Sequence, residues 1–207
     1  MARAASTKGP TRIQREKTEA ILEAALEVFA TYGFRGSTLD QIAAQSGISK
    51  PNILYYFDGK ETIHAELLAR LLETWLEPLE HMSDKGDPVE EICAYVARKL
   101  AMSRDYPRQS RLFANEVLQG APRILDELAG PLKALTDEKA ALIQGWIDAG
   151  LIKAIDPYHL IFSIWSTTQH YADFDVQVRT VLADKADDRF KKAAAFLDTM
   201  YRATLTP

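Results

Sequence analysis

The chain has 207 residues, a formal net charge of -4 and one cysteine, Cys93. That length can bury a sizeable core in one or two domains. The negative balance excludes an indiscriminate nucleic-acid binder, and a lone cysteine excludes an internal disulfide and fits a reducing compartment.

No apolar stretch opens the chain as a secretory signal, and no apolar run approaches membrane-spanning length. A soluble, cytoplasmic protein is expected. Residues 1–18 carry Arg3, Lys8, Arg12, Arg15 and Lys17 against Glu16 alone, a local charge of +4. Residues 1–16 read as a basic flexible arm, disordered alone and able to follow phosphates or a minor groove on DNA.

Ile21, Leu22, Ala25, Leu26 and Phe29 then form an apolar stripe at helical spacing, ended by Tyr32-Gly33-Phe34. Thr38 is placed to cap a second helix, since its hydroxyl can accept an orphan N–H of the first turn. Leu39, Ile42 and Ala43 share its inner face. Gly47 ends it, because glycine takes the left-handed conformation without steric cost. Ser49 and Pro51 begin a third helix. Ile53 and Phe57 point inward, leaving Ser49, Lys50, Asn52 and Tyr55 outward on its N-terminal half. This is a helix-turn-helix pattern, in which that end of the second helix enters the major groove. Asn can read a base edge, whereas Lys and Tyr more often anchor phosphates. A capped hairpin alone is also compatible with a purely structural role. The preceding apolar stripe, which gives three helices a small core of their own, favours the DNA-reading interpretation.

Lys17 to Glu61 resembles the DNA-binding domain of the TetR family of repressors. The likeness is carried by Ala25 through Gly33-Phe34, Thr38 to Ile42-Ala43, Gly47-Ile48-Ser49-Lys50, and Tyr55-Tyr56-Phe57 followed by Lys60-Glu61. It implies a DNA-contacting set of Thr38, Ser49, Lys50, Asn52, Tyr55, Tyr56 and Lys60. The chain departs from the family at Leu54, where a phosphate-contacting tyrosine is usual, and at Tyr56, where histidine is frequent. Tyr55 is positioned to replace the missing contact. The expected domains are 17–61 for DNA and 62–207 for ligand binding and dimerisation.

Beyond Glu61 the pattern is helical almost throughout. Ile63, Leu67, Leu68, Leu71, Leu72, Trp75, Leu76 and Leu79 form a long stripe that fades between Pro78 and Asp84. After the turn at residues 85–88, Ile92, Tyr95, Val96, Ala97 and Leu100 mark a helix running to Arg104-Asp105-Tyr106-Pro107. Further helices are predicted at about 110–118, about 123–129, from Gly130-Pro131 to about Ala149, from Asp156-Pro157, and from about Asp187 to Thr204. No strand pattern or repeat occurs. The fold class is all-α, with about nine or ten helices in total.

The segment from Leu160 to Phe174 is apolar nearly all round in its first half and polar in its second. Buried polar groups need partners, from other side chains or from a ligand. Trp165 and Gln169 are spaced i, i+4 and share a face. An indole offers a stacking plane and a carboxamide offers a donor and an acceptor, a pair suited to a small planar heterocycle with an imide edge. A second reading makes Trp165 core, with Gln169 and His170 bonded across a dimer interface. Trp75 likewise fits both a pocket wall and the core stripe.

The family resemblance runs on through Ser103-Arg104-Asp105-Tyr106-Pro107, Ser110-Arg111-Leu112-Phe113 and Thr168-Gln169-His170-Tyr171-Ala172-Asp173-Phe174, toward its pyrimidine-responsive members. It implies an effector such as uracil or thymine that loosens DNA contact, with Trp75, Trp165 and Gln169 in the pocket and Tyr171 and Arg104 beside it. It also implies a homodimer formed by the last two helices, matching a palindromic operator. Ligand is then expected to act by shifting the long helix from Glu61 to Leu79.

Two rival readings fit parts of the sequence. Ser166, His170 and Asp173 superficially invite a hydrolase, but a triad needs converging elements rather than one helix. The other rival is a TetR-type repressor of an efflux or other catabolic operon, with a broad apolar pocket. His159 and His170 are too far apart for a shared ligand site, and Cys93 has no companion, so neither metal nor cofactor is expected.

Overall fold

A computed structural model describes residues 11–207. It divides into two compact units, one ending at Leu67 and the other spanning Leu68–Pro207. The division falls inside a helix, where the sequence expectation placed it at residue 61.

In the first unit, helix α1 (Arg12–Gly36) begins with a reciprocal cap. Thr11 Oγ1 accepts from Gln14 N, and the Gln14 side chain accepts from Thr11 N. This cap starts the helix earlier than the arm boundary at residue 16 allowed, so Arg12 and Arg15 ride on helical turns. Arg12 is paired there with Glu16 at 2.7 Å, on the surface. The rest of the proposed arm, residues 1–10, lies outside the described residues. The stripe of Ile21, Leu22, Ala25, Leu26 and Phe29 is buried. Gly33, at φ 66°, bends the end of α1, a backbone shape that other residues resist.

Helix α2 (Leu39–Ser46) repeats the cap, with Thr38 Oγ1 accepting from Gln41 N at 3.2 Å and Gln41 Oε1 accepting from Thr38 N at 2.8 Å. Gly47, left-handed at φ 67°, terminates it. Helix α3 (Lys50–Tyr56) starts at Ser49 with Pro51 in its first turn, but the Ser49 hydroxyl makes no capping bond. Ile53 is fully buried and Phe57, at the end of α3, is half-buried.

Replacing Thr38 with alanine removes a cap from a short helix, at a typical cost of about 0.5–2 kcal/mol. Urea unfolding of Thr38→Ala is expected to show that loss, and Thr38→Ser to recover most of it.

Helix α4 (Lys60–Glu80) belongs to the first unit up to Leu67 and to the second from Leu68. The second unit continues with α5 (Pro88–Asp105), α6 (Pro107–Leu118), the single turn α7 (Leu125–Glu127), α8 (Lys133–Asp148), α9 (Pro157–Asp173), α10 (Asp175–Leu182) and α11 (Arg189–Leu205). Asp87 and Asp156 cap α5 and α9 by accepting from Glu90 N and His159 N, each ahead of a proline in the first turn. Gly130-Pro131 does not break the chain before α8. It widens one turn, Leu128–Leu132, into a π-helix, because Pro131 has no N–H to give the tighter ladder. Helix α10 was not expected. Its apolar residues Val176 and Val181 stay exposed, so no buried stripe announces it.

The core of this unit forms where α5 packs against α9 and α11, and α9 against α6 and α8. Tyr95, Ile92, Ile143, Leu160, Ile161, Ile164 and Leu197 fill it. Each such side chain contributes about 1.5–3 kcal/mol by leaving water. That packing holds α5 and α9 side by side, which positions the cavity described next.

Candidate functional site

Two places carry chemistry. The first is the exposed side of α3. Ser49, Lys50, Asn52 and Tyr55 are all exposed, Tyr55 at 73%, and Leu54 at 45%. Tyr56 is half-buried, its ring edge-on to Tyr55 at 5.1 Å. Lys50 Nζ rests 2.9 Å from Asp40 Oδ2 on the surface. Such a pair is worth little, roughly 0–1 kcal/mol, and yields readily to a phosphate. Thr38 is exposed but holds the cap of α2. Lys60 differs from the rest. Its ammonium donates to Phe34 O at 3.0 Å and Ser37 O at 2.8 Å and sits 4.6 Å from the centre of the Phe34 ring. It closes the carbonyl end of α1 rather than facing outward with the others, a role that a cation near a helix C-terminus suits well.

The second is a cavity of about 60 Å³ between α4, α5, α6 and α9. One water needs only about 10–15 Å³ of such space. Its walls include Leu72, Trp75, Leu76 and Leu79 from α4, Tyr95 and Lys99 from α5, Phe113 from α6, Leu132, and Trp165 and Gln169 from α9. Trp165 and Gln169, paired by their spacing, and Trp75, placed in the pocket by the family resemblance, thus meet on one cavity. Tyr171 and Arg104 are not among its lining residues. Tyr171 follows Gln169 by two positions, which turns it to another face of α9. It packs near Phe190 of α11, ring centres 6.1 Å apart. Arg104 is exposed at the end of α5 and forks onto Asp105 at 2.8 and 3.0 Å.

The polar half of α9 satisfies itself almost completely. Thr168 donates to Ile164 O at 2.6 Å, and Thr167 to Ser163 O at 2.7 Å. Ser163 and Thr167 both meet the Tyr201 hydroxyl, and Ser110 donates to Asp173 at 2.5 Å. The Trp165 indole N–H donates to the Tyr95 hydroxyl at 2.7 Å, and burial pushes the Tyr95 phenol well above its usual range. Two neutral polar groups on the cavity are left over among the described residues. The Gln169 carboxamide enters no hydrogen bond, and buried Trp75 Nε1 has no partner. Buried polar groups without partners are costly, and a bound molecule is one way to satisfy them.

Lys99 escaped notice in the sequence. It is 2% exposed, and its ammonium stands 5.3 Å from the centre of the Trp75 ring. Burial lowers its pKa to about 7, with Asp173 pulling the other way. Asp173 is itself raised by burial, offset in part by the Ser110 hydrogen bond. The signal for Lys99 was available, since positions 92, 95, 96, 99, 100 and 103 share the inner face of α5.

The hydrolase reading finds no assembled site. Ser166 donates to Ser163 O, Asp173 binds Ser110, and His170 stacks on Phe174 at 5.0 Å. No cluster of three or more His, Cys, Asp or Glu suited to a metal occurs among the described residues, and no described helix is long and apolar enough to cross a membrane.

A helix-turn-helix unit joined through one helix to a helical unit with a cavity among its helices is the layout of a ligand-sensing DNA binder. Residues 21–67 match the model of bacterial regulatory proteins, tetR family, and residues 68–207 match that of the YcdC-like protein C-terminal region. The chain belongs to the TetR family: it is a ligand-responsive, DNA-binding transcriptional regulator and not an enzyme. It is 51% identical over 171 residues, 83% of this chain and 81% of the other, to the HTH-type transcriptional regulator RutR of Escherichia coli strain K12. The fatty acid metabolism regulator protein of Bacillus subtilis strain 168 is 28% identical over 65% of this chain and 81% of its own length. Among solved structures, a transcriptional regulator from Streptomyces coelicolor shares the fold, with a TM-score of 0.74 and 23% identity over 92% of this chain and 99% of that one. So does AibR in complex with isovaleryl coenzyme A and operator DNA, with a TM-score of 0.66 and 19% identity over 89% and 97%.

The arm ahead of α1 carries a direct prediction. Deleting residues 1–11 removes Arg3 and Lys8. If both meet phosphates, the slope of log K against log salt should fall by about 1.8 in magnitude, and operator affinity should drop. Gel-shift titrations across a salt series measure both, and an unchanged slope removes the arm from the interface.

Proposed function

We propose that this regulator senses a free pyrimidine base, uracil or thymine, and leaves its operator when the base binds. On this reading it acts in the cytoplasm as a homodimer on a palindromic site, and the effector is its only small-molecule requirement. The observation that carries the reading is the meeting of Trp75, Trp165 and an unengaged Gln169 on one small cavity. An imide edge presents a carbonyl beside an N–H. The Gln169 amide donates to the first and its carbonyl accepts from the second, while the indoles cover the ring faces. The resemblance of the sensor sequence to pyrimidine-responsive members of the family supports the same class of ligand. A cavity of about 60 Å³ suits a single small ring better than the bulky, varied ligands of an efflux regulator.

Titration with uracil and thymine, with uridine and cytosine as controls, tests this by tryptophan fluorescence. Trp75 and Trp165 report from the cavity, and buried Trp146 supplies background. Saturable quenching by the free bases alone is the expected result. A folded protein that responds to none of them overturns the pyrimidine reading and leaves a regulator with another effector.

A further inference from the structure

We propose that Lys99 is the oxygen-reading cation of the cavity: its ammonium takes a ring carbonyl of the bound base, so that ligand binding draws a proton into the protein. The inference rests on the pyrimidine reading above and assigns the part of the ligand that Gln169 cannot reach. An ammonium buried to this degree ordinarily has a carboxylate or several carbonyls around it. Among the described residues this one has neither a hydrogen bond nor an ion pair, only the face of Trp75. It nevertheless lines the cavity together with Gln169.

The chemistry divides naturally between the two side chains. Uracil has two carbonyl oxygens flanking one ring N–H. Gln169 satisfies that N–H and one oxygen, which leaves the second oxygen facing a donor. Cytosine carries an amino group in place of one carbonyl, so one of the two sites meets a donor with a donor. Lys99 therefore also gives the pocket a means of rejecting cytosine.

Few other charges bear on Lys99. Tyr95 shares its helix and is held by Trp165. Asp173 of α9 favours the charged lysine and is bonded to Ser110 of α6, with Arg111 and His170 acting on that carboxylate. The α4 wall contributes only leucines and Trp75, and Leu132 closes the side before α8. The free lysine loses its proton as pH rises through about 7. A carbonyl partner favours the charged form and raises that value in the complex. Binding is therefore tightest below pH 7 and weakens above it, with proton uptake at the higher pH.

Calorimetry of uracil binding to the full chain, at pH 6 and pH 8 in buffers of different ionisation heat, tests this. The expected result is affinity about 5- to 10-fold weaker at pH 8 than at pH 6 for a rise of one unit or more in the lysine. Proton uptake should appear at pH 8 only. Lys99→Met should abolish the pH dependence, weaken uracil roughly 10- to 150-fold, the range for a charged hydrogen bond, and narrow the preference over cytosine. His170→Gln should keep the pH dependence, which separates Lys99 from the imidazole beside Asp173. Uracil binding with no proton uptake and no pH dependence overturns the role of Lys99 while the pyrimidine reading stands. Failure of uracil to bind the unaltered protein at either pH overturns both. The buffer comparison on the unaltered chain decides the matter even if Lys99→Met does not fold.

Discussion

Replacing Gln169 with leucine is expected to abolish the response to uracil while the protein still binds its operator without ligand. Leucine keeps the volume and the helix and removes both polar atoms. The cavity then offers two indoles and no partner for the imide edge. A base entering it would leave an N–H and a carbonyl buried and unpaired, at roughly 1–3 kcal/mol for each. Losing both gives a weakening of roughly 30- to 25,000-fold, enough to place most of any remaining response beyond a practical titration. Gln169→Leu should unfold at the same urea concentration as the parent or slightly higher, since no hydrogen bond of Gln169 among the described residues is lost. Release from operator measured at increasing uracil decides the point. A variant that responds like the parent takes Gln169 out of the account and leaves the indoles as ordinary core.

The parts of this molecule that could be read without coordinates are those where spacing alone sets direction. The capped turn at Thr38 and Gly47, the stripe from Ile21 to Phe29, and the shared face of Trp165 and Gln169 follow from helical geometry, and all occur. Side chains that reach far from their own helix resisted this reading. Lys60 belongs to a helix start, yet its long stem carries the ammonium back to carbonyls 23 and 26 positions away. Lys99 sits in an otherwise apolar face, where a cation is discounted by default because isolated buried charge is expensive. Arg104 and Tyr171 were placed near the ligand by resemblance, which carries no angular information. Helix α10 was missed for another reason: it has only eight residues and none of them is buried, so its apolar pattern is too short to stand out.

Uracil affinity should be lower for the operator-bound protein than for the free protein, and the losses at the two sites of a dimer should multiply to the factor by which saturating uracil weakens operator binding. Helix α4 lines the cavity through Leu72, Trp75, Leu76 and Leu79, and its first turns belong to the DNA-binding unit. A ligand can move such a helix only to the extent that it binds one arrangement better than the other. Couplings of this kind commonly amount to about 1–3 kcal/mol, or 5- to 150-fold. Complete release is more demanding, since moving a population from 1:99 to 99:1 takes about 10⁴-fold discrimination between states. A dimer that binds two bases reaches that range at about 100-fold for each site, because the two preferences multiply. The expected operator titrations therefore show about 100-fold weakening with one base per dimer and about 10⁴-fold at saturation. Linkage requires the mirror-image change in uracil affinity. Equal uracil affinity for the free and the operator-bound protein rules the mechanism out, however tightly the base binds.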